Sequence, residues 1–202
     1  MSRMHSRTLS LVAAAAIVAL AACSAKKGTG VDSTKATHAP ARDSANIIAM
    51  GGSTSMTGDA DHDFLRMMSD HHKGLILMVH KTVDSKEKLG VKAVASRMDK
   101  EQDAEMDTMM TMLEKDYKDP YAPTIIPEHQ AMADELNGKS GAAYDRTFLT
   151  NVVKHHQEAI TMIDDYLPKA KNQKVKQMAE RMKATQSKEI TELRAKLASK
   201  NP

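Results

Sequence analysis

The chain can be laid over itself so that one adjacent histidine pair falls on another, and no other feature of the sequence limits the fold as much. In that register Asp61 meets Asp145, Phe64 meets Phe148, Leu65 meets Leu149, His71 meets His155, His72 meets His156, Ile76 meets Ile160 and Met78 meets Met162. Further on, with no gap needed, Arg97 meets Arg181, Met98 meets Met182, Gln102 meets Gln186 and Glu105 meets Glu189. Such a match predicts a duplicated helical hairpin, with repeat 1 over about residues 59–117 and repeat 2 over about residues 142–199. A hairpin with one apolar face cannot bury that face alone. Two of them close most simply into an all-α four-helix bundle, here spanning 59–200.

Helix punctuation supports the same division. Asp59 and Asp61 are placed to cap a helix running to about Lys88, with Gly90 as its stop; a second runs from about Val91 to Tyr117, ahead of Asp119-Pro120. After a proline-bearing connection, a short helix is expected over Glu128–Leu136, a third long one over about Ala142–Leu167 and a fourth over about Asn172–Ser199. Nothing in this region alternates as a strand does.

Helical periodicity puts both members of each histidine pair at the border of the buried stripe. Phe64, Leu75, Met68 and Met78 all fall within about 60° of His71 around the helix, and His72 follows at about 100°. The second copy repeats this with Phe148, Val152, Ala159 and Met162. On the partner helices Gln102 and Glu105 share a face with Met98, as Gln186 and Glu189 do with Met182.

Buried polar groups need partners, which leaves two readings. In one, the His and Gln/Glu pairs form a hydrogen-bonded layer that fixes helix register, and methionine is flexible core filler. In the other, His71, His72, His155 and His156 are metal ligands with Met68, Met78 and Met162, while Glu105, Glu189, Gln102 and Gln186 orient the imidazoles and set their tautomers. Imidazole with thioether suits Cu(I), and Ag(I) after it, whereas hard cations want oxygen and structural zinc usually wants cysteine. Copper, with Cu(I) favoured, is therefore the expected cofactor. Accessory ligands are His62 and His80, which add exposed nitrogens, and Met106, Met109, Met110 and Met112 of "MDTMMTM", of which Met109 and Met112 also suit core filling.

The N-terminus reads as an address. A basic start, an apolar run from Leu9 to Ala22 that is short for a spanning helix, and "LAAC" ending at Cys23 predict a lipoprotein export signal over residues 1–22. Cys23 would carry the lipid. As the one cysteine in the chain, it leaves no thiol for a disulfide or for a metal. Residues 23–58, rich in Ser, Thr, Ala, Gly and Lys, predict a flexible tether reaching roughly 30 Å. An extracytoplasmic, membrane-anchored lipoprotein of the periplasm or cell surface is the expectation.

Composition excludes other classes. Without Arg3 and Arg7 the basic count falls from 29 to 27 against 26 acids, so the chain after the signal is close to neutral and shows no basic patch with interleaved aromatics. Nucleic acid is not an expected partner. The expected partners are a metal ion and the membrane through the anchor; no motif names a protein. Sixteen methionines stand against two Phe and no Trp, so methionine fills places that aromatics usually take. No acid–base or nucleophile constellation points to an enzyme, and the Glu-x-x-His pattern of di-iron bundles is missing, its nearest approach being Asp59-x-x-His62.

Asp61, Phe64, Met68-x-x-His71-His72-x-x-Leu75-Ile76-x-Met78 and Gln102-x-x-Glu105-Met106 resemble the domain-of-unknown-function 305 family of exported helical proteins. Asp145, Phe148, "HHQEAITM" from His155 to Met162, and Gln186-x-x-Glu189-Ile190 resemble it at least as well. The resemblance spans about residues 59–198. It implies a ferritin-like fold and, through CopM-like periplasmic members, copper binding and copper resistance. Val152 stands where the family motif has methionine, and Leu75 where it has alanine.

Overall fold

The computed structural model describes residues 55–199. The expected export signal, Cys23 and the expected tether up to residue 54 lie outside the described residues. Helices are α1 (Ala60–Val83), α2 (Lys92–Tyr117), the short α3 (Pro127–Asp134), α4 (Gly141–Tyr166) and α5 (Gln173–Ala198), with a 3₁₀ turn over Leu167–Lys169. No strand occurs among the described residues. None of their helices is long and apolar enough to cross a membrane.

Local chemistry sets the ends. The Asp59 carboxylate accepts from the backbone N–H of Asp61 and of His62, which makes it the cap of α1. Asp61 is not a cap, although the sequence offers it as one; it is 3% exposed and bonded elsewhere. The first helix also stops at Val83 rather than Lys88. Asp84 and Ser85 offer side-chain oxygens that compete with the helical ladder, and Ser85 Oγ already accepts from Glu87 N at 3.2 Å. Gly90 is not the stop either: its N–H donates to Asp145 Oδ2 at 2.8 Å. α2 ends through Lys118, which turns left-handed at φ 56°, with Asp119 N bonded back to Leu113 O at 3.0 Å. Pro127 opens α3, where its missing N–H costs nothing. Asn172 caps α5 through Lys174 N.

α1 packs on α2 and α4 on α5, and α1 meets α3 and α4. The core has two apolar halves. One gathers Leu75, Met78 and Val79 of α1, Ala95 and Met98 of α2, Met132 and Ala133 of α3, Phe148 and Val152 of α4, and Leu193 of α5. The other gathers Phe64, Leu65 and Met68 of α1, Met109 and Leu113 of α2, Ala159 and Ile163 of α4, and Met178 and Met182 of α5. Each large side chain so buried contributes about 1.5–3 kcal/mol. Between the halves, at mid-helix on all four long helices, sit His71, His72, Gln102, His155, His156, Gln186 and Glu189, every one buried.

Two aspartates cross-tie the hairpins. Asp61 accepts from the Tyr166 hydroxyl at 2.5 Å and from Asn172 N at 2.8 Å, in the α4–α5 connection. Asp145, its counterpart in the second repeat, holds Gly90 in the α1–α2 connection. Burial and the neighbouring Asp61 carboxylate push the Tyr166 hydroxyl far above its ordinary value, so it stays a donor. The long connection after α2 is pinned by Asp70, which accepts from Tyr121 Oη and Thr124 N at 2.7 Å each. At the start of α1, Thr57 N and Oγ1 donate to Asp63 Oδ1 at 2.7 and 2.8 Å.

Candidate metal centre

Three imidazoles meet in the polar layer: His71 from α1, His129 from α3 and His155 from α4, each 1% exposed. One ring nitrogen from each lies within 4.8 Å of the others. Ring centroids stand 3.7 Å apart for His71–His155, 4.6 Å for His129–His155 and 4.8 Å for His71–His129. Nitrogens about 2.0 Å from a central ion in a trigonal plane would stand roughly 3.5 Å apart, so closing on an ion asks for little more than an ångström of contraction.

Their nitrogens are left free in the manner ligation requires. His155 Nε2 donates to the His71 carbonyl oxygen at 2.8 Å, which leaves the Nδ1 lone pair without a partner. His129 Nε2 stands 3.5 Å from Glu158 Oε2, and again Nδ1 is unpartnered. His71 has no well-aligned hydrogen bond on either nitrogen, the His155 backbone being the polar group its ring approaches. A buried imidazole nitrogen without a partner is costly, and three sharing one spot need an explanation. Burial, and next the His129 imidazole, push the His71 pKa well below its ordinary value. Burial, then His71 and His129, do the same to His155. Neither is protonated near neutral pH, so both keep lone pairs for an ion.

His129 reaches this point because of one residue. A Cβ added at Gly74, in the middle of α1, would lie 2.2 Å from His129 Nδ1 and 2.5 Å from its Cβ and Cγ. α3 therefore rests against bare backbone. It is fastened there by Asn151 Nδ2, which donates to Met132 O at 3.0 Å, and by Lys81 Nζ, which donates to Ala133 O at 3.1 Å. In the register of the repeats Gly74 corresponds to Glu158, so the two equivalent positions supply the gap that admits His129 and the carboxylate beside it.

The four predicted histidines split into two kinds. His71 and His155 join the trio. His72 Nε2 hydrogen-bonds Glu105 Oε2 at 2.9 Å, and His156 Nε2 lies 2.9 Å from Glu189 Oε2, close enough for an ion pair though off the line of a hydrogen bond. Burial resists ionisation of Glu189, but the His156 contact outweighs it and draws the carboxyl below its ordinary value. Next to it, burial and the Glu189 charge raise Glu101. Gln102 and Gln186 are buried in the layer, each with its amide oxygen unpartnered.

Met68, Met78 and Met162 are all buried, but on opposite sides of the layer. Met68 and Met162 belong to one apolar half and Met78 to the other. Met109 is fully buried in the first of these halves, and Met106, Met110 and Met112 pack partly exposed against it. His62 is not exposed, as the sequence suggested: it stacks on Tyr117 at 4.7 Å and holds Asp119 Oδ2 at 2.8 Å. His80 is 55% exposed and faces Asp99. Sequence reasoning missed His129, a single histidine outside the repeats. Its signal lay elsewhere, in an isolated glycine inside a helix whose counterpart is a glutamate.

The model of the family described as "Domain of unknown function (DUF305)" matches the chain over residues 18–113 and 61–197. A DUF305 fragment from Deinococcus radiodurans superposes with a TM-score of 0.61 at 23% identity, covering 68% of this chain and 95% of that one. A putative secreted DUF305 protein from Streptomyces coelicolor gives 0.61 at 20% identity, over 69% and 91%. CopM in its Cu(II)-bound form gives 0.59 at 24% identity, over 68% and 95%. CopM is also known in Cu(I)-bound and Ag-bound forms. No curated protein matches the sequence.

Proposed function

The chain belongs to the DUF305 family, and from that premise and its own geometry we propose that it is an extracytoplasmic copper-binding protein holding Cu(I) between His71, His129 and His155. The observation that carries this is three buried imidazoles that each offer a ring nitrogen within 4.8 Å of the others and that each keep a ring nitrogen without a hydrogen-bond partner. Imidazole is a good copper ligand. Charge argues for the cuprous ion: the cost of taking an ion out of water scales with the square of its charge, so a monovalent ion costs about a quarter of what a divalent one does. Near the trio, Glu158, 3.5 Å from His129, is the carboxylate placed to offset it. CopM, a protein of the same fold, is known with Cu(II), Cu(I) and Ag bound, which supports copper as the metal.

His72 and His156, each held by a glutamate, keep the structural part of the layer and fix helix register around the site. Met68, Met78 and Met162 form apolar walls above and below it. Three neutral imidazole ligands with one carboxylate beside them suit buffering, scavenging or hand-over of copper. Export through the N-terminal signal and anchoring at Cys23 would place that role at a membrane surface.

Titrating the purified chain with Cu(I) against a competing chelator tests the assignment. His129→Ala should weaken binding strongly, and His72→Ala far less. Unchanged affinity in His129→Ala and in His71→Ala would leave the trio as a packing feature and the proposal without a site.

A further inference from the structure

A second cluster lies outside the buried layer, on the side of the bundle where α1 meets α2. His80, in the last turn of α1, and Asp99 and Asp103, one turn apart on α2, offer ligand atoms that all lie within 4.8 Å of one another. His80 Nε2 stands 3.0 Å from Asp99 Oδ1. That approach is not aligned as a hydrogen bond. Oδ1 is shut off from water and has no other partner, although its residue is partly exposed. A carboxylate oxygen hidden from solvent with no donor aimed at it is costly unless a cation visits.

The second hairpin supplies an internal comparison. In the register of the repeats His80 becomes Asp164, Asp99 becomes Lys183 and Asp103 becomes Ser187. There Lys183 Nζ sits 2.5 Å from Asp164 Oδ1. The second hairpin thus fills this position with its own ammonium, while the first presents acceptors and no Lys or Arg at these three positions.

We infer that His80, Asp99 and Asp103 form a solvent-facing site for a borderline divalent cation such as Zn(II), Ni(II) or Cu(II). One imidazole and two carboxylates are a nitrogen–oxygen donor set without sulfur, which favours such ions over a soft monovalent one. Two carboxylate charges balance a divalent ion. The ion takes the place of the Nε2 proton, which moves to Nδ1 or leaves to solvent, and water completes the coordination shell. The i, i+4 spacing of Asp99 and Asp103 sets both carboxylates on one face of α2, towards His80.

This site stands independently of the buried trio, and its test is built to show that. The full chain, with His129→Ala to disable the trio, is titrated with Zn(II) and followed by calorimetry. One equivalent should bind, and His80→Ala or Asp103→Asn added to that background should weaken binding at least about tenfold. Replacing Asp164→His, Lys183→Asp and Ser187→Asp together should raise the stoichiometry from one to two. Zn(II) binding unaffected by His80→Ala and by Asp103→Asn overturns the inference, and so does no binding at all; Cu(I) affinity of the unaltered chain is untouched by either result.

Discussion

Replacing Gly74 with alanine sets two opposed effects against each other. Alanine in a helix interior is more stable than glycine by about 1 kcal/mol. The added methyl, however, would stand 2.2–2.5 Å from three atoms of His129, and one of these is the ring nitrogen left free for an ion. Overpacking of this sort costs about 1–3 kcal/mol, so net stability should fall by about 0–2 kcal/mol, or up to about 8 °C in melting temperature for a domain of this size. The ligand suffers more than the fold. His129 Cβ is itself among the clashing atoms, so α3 must shift as a whole and carry the imidazole away from His71 and His155. Copper affinity should drop by at least the roughly 10–100-fold seen when a ligand's support is disturbed. Thermal melts by circular dichroism and a chelator competition on the same preparation separate the two quantities. In a His129→Ala background Gly74→Ala should cost no further affinity, because the ligand is already gone. Gly74→Ala protein that binds copper within about threefold of the unaltered chain would refute the reasoning, since His129 would then not need the gap.

Acid should destabilise the metal-free protein. The His71 and His155 pKa values lie well below the ordinary 6.5 in the folded state, so the unfolded chain binds more protons below that pH, and stability is intact above about 6.5 and lost as pH falls. Two such groups remove roughly 2 kcal/mol between about pH 6.5 and 5.5, which urea melts at the two pH values would read directly. Asp61→Ala strands a buried tyrosine hydroxyl and the N–H groups of Lys171 and Asn172, and should cost about 3 kcal/mol, against about 1–2 kcal/mol for Asp145→Ala with one such bond; equal losses would contradict the contacts described. Glu189→Ala removes the carboxylate from buried His156 and should destabilise by about 2–3 kcal/mol, more than Glu105→Ala, whose side chain is 28% exposed; denaturant midpoints rank the two.

Much of the architecture was legible because it is periodic. The apolar stripe, the cap at Asp59, the start of the last helix near Asn172 and the fixed offset of the histidine and glutamate pairs all report on helix faces and ends, and these are local properties. That glutamates face histidines across the bundle follows from polar groups set in apolar faces; which histidine each takes, His72 for Glu105 and His156 for Glu189, came from the packing. What could not be read was non-local. Asp61 looks like a cap in sequence, and only the return of the α4–α5 connection makes it an anchor. Asp84 and Ser85 ended α1 before the glycine that seemed to mark its stop. His129 carries no period at all: it joins the centre through a packing gap at Gly74, far upstream in the chain, and a gap has no residue of its own to signal it except a glycine.

The position of His129 also bears on symmetry. Two identical hairpins related by a two-fold axis would present every side chain twice, so a site between them gains ligands in pairs. His71 and His155 are such a pair. The third imidazole comes from the connector between the hairpins, a segment that has no counterpart within either one. The connector therefore does more than hold the halves together: it breaks the two-fold relation at the centre and brings a third imidazole to a fold whose parts come in twos.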